Sequence, residues 1–175
     1  MTPDIKKFLA LAFMATAFAT SGIAQAPAPK PPIPVKVQVV LSRYEAEKKV
    51  SSLPYTLAVT ANEGRGGSLR MGSQIPISTG SGPNSSNPAY TMQSVGTNID
   101  CSVTSLDDVR FKVEISISDS SVMERRSSDI APTLRNFVTN NLVILRDGQS
   151  VQFTAATDKN TGEIVKVDVT LMVEK

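Results

Sequence analysis

Few residues in this chain are of the types that do chemistry. Asp107 and Asp108 stand side by side and could serve as paired carboxylates or as one corner of a calcium site. Glu45, Glu47, Lys48 and Lys49 crowd charge into one short stretch, and Gly64-Arg65-Gly66-Gly67-Ser68 has the small residues that a phosphate-binding loop uses. Cys101 is the only thiol, and histidine is absent. That absence removes Ser-His-Asp and Cys-His catalysis together with the commonest metal ligand, and Cys101 has no second cysteine with which to build a zinc site. Adjacent acidic residues between two strand-like segments are turn formers far more often than a site. The Glu45–Lys49 charges read as a solvated loop, and the glycine-rich stretch does not lead from a strand into a helix. Asn84-Ser85-Ser86 fits a glycosylation acceptor, which matters only in a host that glycosylates exported proteins. No catalytic residue, cofactor site or metal site emerges, so the chain is expected not to be an enzyme. An exported hydrolase with an unusual serine or carboxylate arrangement is the poorest of the functional readings.

The elements around these residues follow a period of two. Val35, Val37, Val39 and Leu41 alternate with Lys36, Gln38 and Ser42, the pattern of a strand with one buried face. Tyr55, Leu57 and Val59 repeat it, as do Val109 to Ile117 and Val165 to Val173. Antiparallel sheets around a single core require this arrangement. Asp107-Asp108 is expected to turn one strand pair and Asp158 to Glu163 another. In the stretch LVILRDGQSVQFTAATD, beginning at Leu142, Asp147-Gly148 suggests a hairpin with a tight type I′ turn. The stretch from Arg43 to Val50 contains helix formers but is too short for an isolated helix, so it reads as a charged hairpin end. Ser121 to Ile130 has room for one short helical turn. The expected class is all-β, a single antiparallel β-sandwich-like domain. Cys101 shares its strand face with Ile99 and Val103, which makes it a small, inert core residue.

The amino terminus reads as an export signal. Lys6 and Lys7 precede an apolar run from Phe8 to Phe18, and small residues follow. The run is too short for a membrane-spanning helix. Cleavage after Ala24 fits best, giving a signal peptide at 1–24, and no cysteine near the cut suggests a lipid anchor. Residues 25–34 then form a proline-rich flexible tether, with five prolines between Ala26 and Pro34, and 35–175 form the β domain. The localisation expected is periplasmic or secreted. Without residues 1–24 the chain keeps 16 basic and 15 acidic residues, too even a balance for nucleic acid or an anionic membrane as the main partner.

The order of the strands resembles the carboxy-terminal core of bacterial secretins over roughly Ser68 to Val173. The residues that carry the resemblance are a Gly-Xaa-Xaa-Ile-Pro strand at Gly72 to Pro76, Val95-Gly96 opening the next strand, the Asp107-Asp108 turn, Arg135 in the strand that follows, and Asp147-Gly148-Gln149. The resemblance implies a secretin-like fold and a way of pairing strands with neighbours. Secretins are multidomain outer-membrane channel subunits, and a chain of this length is expected to lack their preceding periplasmic modules. The usual glycine pair after the last turn is replaced by Ala155-Ala156-Thr157, and the spacer at 78–89 consists of small and polar residues. A self-standing membrane barrel needs strands of about 9–11 residues and two aromatic girdles. Beyond residue 24 only Tyr44, Tyr55, Tyr90, Phe111, Phe137 and Phe153 are aromatic, which favours a sandwich without stable membrane insertion.

Function is therefore expected to be contact with an unknown envelope protein, with a truncated secretin-type subunit forming an oligomeric ring as the alternative. The two stretches with the composition of interaction loops are the spacer, represented by Ser78, Gly82 and Asn84, and the loop carrying Arg125 and Arg126.

Overall fold

The structure, a computed structural model, describes residues 29–80, 89–123 and 133–174. The expected signal segment, cleavage point and most of the tether lie outside them. Eight strands form: β1 (Ile33–Glu45), β2 (Lys48–Ala61), β3 (Gly67–Gly80), β4 (Ala89–Ser105), β5 (Arg110–Met123), β6 (Thr133–Arg146), β7 (Ser150–Thr157) and β8 (Ile164–Val173). They make two four-stranded sheets, ordered β2-β1-β8-β7 and β3-β4-β5-β6, and every pairing is antiparallel. The all-β sandwich expected from the alternation is the fold found.

The inward faces are the odd-numbered positions read from the sequence. Val35, Val37, Val39 and Leu41 of β1 and Val167, Val169 and Leu171 of β8 meet Ile99, Cys101 and Val103 of β4 and Val113, Ile115 and Ile117 of β5 in one buried cluster. The inward strand faces, with Tyr55 and Phe111 among the aliphatic residues, supply a continuous core in which Cys101 is free and buried.

Both crossings of the chain between the sheets lie at one end of the sandwich, where β1 and β5 begin and β2, β4 and β6 end. The first crossing runs from Asn62 to Gly66, between β2 and β3. Asn62 is left-handed at φ 69, its side chain accepts from the Ser105 backbone N–H at 2.9 Å, and its amide donates to the Pro31 carbonyl at 2.7 Å. Gly66 and Gly67 are closely approached from both walls: a β-carbon at Gly66 would fall 2.5 Å from the Cys101 carbonyl oxygen of the adjacent strand, and one at Gly67 2.8 Å from Val59 of the facing sheet. Lys30 reaches across this end to the carbonyls of Ser105 and Leu106. Asn62→Ala should cost about 1–3 kcal/mol, because it leaves the partly buried Ser105 N–H and hydroxyl without the acceptor that joins the two sheets at this corner. Urea unfolding of the variant checks this, and a loss below about 0.5 kcal/mol would mean that the corner closes without the side chain.

The second crossing corrects one expectation. Asp147-Gly148 does not turn a hairpin: β6 pairs with β5 in one sheet and β7 with β8 in the other. Of the two turn residues only Gly148 is left-handed, at φ 72, so the type I′ geometry is absent. Gln149 N–H bonds back to the Arg146 carbonyl, Gly148 N–H reaches the Leu171 carbonyl, and the Asp147 carboxylate accepts from Val173 N–H. The turn thus fastens to β8 and carries the chain to the other wall. Two successive left-handed residues occur instead at Ala46 and Glu47, φ 45 and 67, in the turn of the β1–β2 hairpin, where the charged hairpin end was expected. β5 extends to Met123, and the rest of the stretch expected to hold a helical turn lies outside the described residues.

Candidate functional site

No cluster of three metal-ligating side chains occurs among the described residues. Asp107 is a turn former. Its carboxylate accepts from the backbone N–H groups of Val109 and Arg110 and pairs with the Arg110 guanidinium, and these contacts, the guanidinium first, hold its carboxyl below the usual range. Burial pushes the Cys101 thiol up to about 12, which leaves it protonated and unreactive at neutral pH. Ser78 lies in β3, where its backbone pairs with Tyr90. Gly82, Asn84, Arg125 and Arg126 lie outside the described residues.

What the sequence reading missed is a charged cluster between the sheets, at the end opposite the two crossings. Arg43 of β1 pairs with Asp119 of β5. Arg135 of β6 pairs with Glu163, just before β8, and with Asp158 at 3.0 Å, just after β7. Arg43 also comes within 3.7 Å of Glu163. Asp119 accepts from the Thr97 hydroxyl at 2.6 Å, and Thr97 accepts from the Tyr55 hydroxyl at 3.0 Å. Every one of these links joins one sheet to the other, or extends a link that does. The sequence carried a usable signal. Arg43, Asp119 and Thr97 lie on the inward face one step beyond the apolar runs of β1, β5 and β4, Glu163 one step before that of β8, and Arg135 shares the inward phase of Phe137, Val143 and Leu145 in β6. A charge in phase with a core stripe demands a partner from the facing wall, because a lone buried charge is too costly. Arg135, singled out only by its place in the secretin-like pattern, thereby acquires a structural role.

A cleft of about 230 Å³ opens beside the cluster, lined by Leu41, Leu53, Phe137 and Val165 together with Arg43, Asp119, Arg135 and Asp158. Asp158 is held low by its bond from the Asn160 backbone N–H, with Arg135 a lesser contributor.

Among the described residues the sheets also leave four strand edges open. β2 and β3 lie on one flank of the sandwich, β6 and β7 on the other. Three of these edges carry features that discourage pairing: Pro54 in β2, Pro76 in β3, and in β7 a length of 8 residues with an irregularity between Thr154 and Ala156. β6 carries none of them. Its 14 residues pair with β5 without a register shift, and Val138, Leu142 and Ile144 point outward with 64%, 57% and 50% exposure.

The class defined by these features is a two-sheet antiparallel sandwich, not closed into a barrel, with open edges on both flanks. Solved structures of the same fold include secretins. The type II secretin GspD from enteropathogenic Escherichia coli superposes with a TM-score of 0.51 at 8% identity, over 83% of this chain and 70% of that one. The type II secretion system outer membrane complex of Klebsiella pneumoniae, with PulD, PulS and the PulC HR domain, gives 0.50 at 10% identity, over 83% and 41%. InvG from the Salmonella SPI-1 injectisome gives 0.49 at 10% identity, over 82% of this chain and 61% of that one. This chain thus spans less than two thirds of InvG and under half of the Klebsiella chain. No protein-family profile and no curated protein matches it. The fold is secretin-like, as the order of its motifs suggested.

Proposed function

We propose that this chain is a non-enzymatic, exported wall unit of the cell envelope that works by continuing its two sheets into neighbouring copies of itself. The observation that supports this reading is the pairing of open edges by flank. Each flank presents one edge from each sheet, and both sheets are antiparallel with an even number of strands. A second copy placed head to tail therefore meets β6 with β3 and β7 with β2, in opposite directions in both cases. One contact extends both sheets at once, with Pro54, Pro76 and the β7 irregularity each removing a local ladder bond while the rest of the edge pairs, and repetition of it closes a ring if the rotation between copies allows. The secretin-like fold and the signal-like amino terminus support an envelope setting.

The unprotected edge of β6 favours a second reading, in which that strand alone pairs with a different envelope protein. The solution mass of Gln25–Lys175, purified without detergent, separates the two. A closed oligomer of many chains is the expected result. A monodisperse monomer would overturn self-assembly and leave β6 as the contact to pursue, by capture from envelope extract with a β6 variant as control.

A further inference from the structure

The sandwich is fastened differently at its two ends. At one end both covalent crossings, the Asn62 bonds and the Lys30 contacts tie the sheets together. At the other, the fastenings between the sheets among the described residues are side chains: Arg43 with Asp119, Arg135 with Glu163 and Asp158, and Tyr55 through Thr97 to Asp119. The apolar cluster stops short of this end, and the cleft beside the ion pairs marks where it is incompletely filled. Glu163 is only 5% exposed, yet its Oε1 has no hydrogen-bond donor. The walls also cease to cover each other here. In β3 every residue from Arg70 to Gln74 is exposed, and in β4 every residue from Tyr90 to Ser94, while Ile75, Ile77 and Val95 on the same ribbon are only half-buried.

The geometry points to an ionic latch: Arg43–Asp119 and Arg135–Glu163/Asp158 hold the two sheets shut at one end, and their release parts the sheets there while the crossed-over end stays closed. The arrangement is that of a spring clip. The apolar core near Ile99, Cys101 and Val113 acts as its pivot, and the latch residues of both walls set the angle at which the β3–β4 ribbon stands away from the β1–β8 sheet. The latch is electrostatic and partly exposed, so salt weakens it, whereas the apolar pivot is strengthened by excluded salts or left alone. The charged groups that meet at the latch come from every strand packed around it: Arg43 from β1, Asp119 from β5, Arg135 from β6, and Asp158 and Glu163 from the β7–β8 connection. Tyr55 and Thr97 are neutral relays. This device is independent of whether the edges pair with copies or with another protein.

Thiol labelling tests it, because the chain supplies its own control. Cys101 is buried beside the pivot, and Leu41→Cys adds a second buried thiol on the wall of the cleft. In the protein as purified from its host, carrying Leu41→Cys, adding Asp119→Asn should raise the labelling rate at position 41 at least tenfold and leave Cys101 unchanged. Raising sodium chloride to high concentration without the Asp119 change should move the same probe in the same direction, which covers the case of an Asp119→Asn chain that does not fold. Labelling that rises equally at both thiols would mean unfolding of the whole domain and would overturn the latch. So would labelling that rises at neither.

Discussion

A Gly96→Ala chain should lose on the order of 3–5 kcal/mol of stability, as the sum of a backbone strain and an overlap that the fold cannot relieve. Gly96 has φ +139, a conformation that L side chains rarely adopt. A β-carbon there would lie 2.2 Å from the Met71 carbonyl oxygen and 2.4 Å from the Gly72 α-carbon. Both neighbours are backbone atoms, so no side chain can swing aside. Gly96 faces Gly72 across the β3–β4 ladder, and its N–H is held by the Ser120 hydroxyl of β5 at 3.1 Å, which pins it from the other side as well. Gly72→Ala meets the Val95 carbonyl oxygen at 2.4 Å but needs no positive φ, so its cost should be smaller, about 1–3 kcal/mol. Urea unfolding of the three chains measures the ranking. Equal losses, or a Gly96→Ala loss below about 1 kcal/mol, would refute the close approach of the two strands.

Ile117→Ala should cost about 2–5 kcal/mol. Ile117 is fully buried, pairs with Ile99 on β4, and belongs to the cluster that joins the sheets. Truncation removes three carbons from a site whose walls are two hydrogen-bonded sheets, which cannot collapse to fill the space. Val138→Ala on β6, a change at an outward position, should stay within about 0.5 kcal/mol in the isolated chain. The contrast tests the assignment of odd positions to the interior: a large effect at Val138 with a small one at Ile117 would place the sheets the wrong way round. If copies pair through β6, the Val138 change should instead show itself in the assembly equilibrium.

The strands and their buried faces were legible in the sequence because alternation is a local signal, and nearly every strand keeps it for at least three inward residues. The motif order was legible too. Gly72 and Gly96, read separately as parts of two secretin-like motifs, prove to be cross-strand neighbours. What local signals cannot carry is the identity of a strand's partner. Val143, Leu145, Val151 and Phe153 alternate around a turn-forming Asp-Gly whether the next strand folds back or crosses to the facing wall. β7 is fixed by β8 and the Leu171 and Gln149 bonds, which lie beyond the turn. The charged cluster was hidden for a similar reason: Arg43 and Asp119 are 76 residues apart, and only their shared phase with apolar runs hints that they face each other. The interaction loops expected around Ser78 and Arg125 rest on composition, and the structure instead draws attention to strand edges.

The topology also fixes an order of events during folding. The β3-β4-β5-β6 sheet is contiguous in sequence and joins only consecutive strands, so each of its pairings closes a short loop. β1 is different. It lies inside its sheet, between β2 and β8, and its partner β8 is the last strand of the chain. An emerging polypeptide can therefore build the whole β3–β6 meander, but β1 must keep one side unpaired until β8 arrives, more than a hundred residues later. The second sheet closes around an already formed first one, as an insertion does within a host, and that long-range closure is expected to be the slow step. A chain halted before Ile164 would retain every strand of one wall and leave β1 and β7 of the other without the neighbour they share.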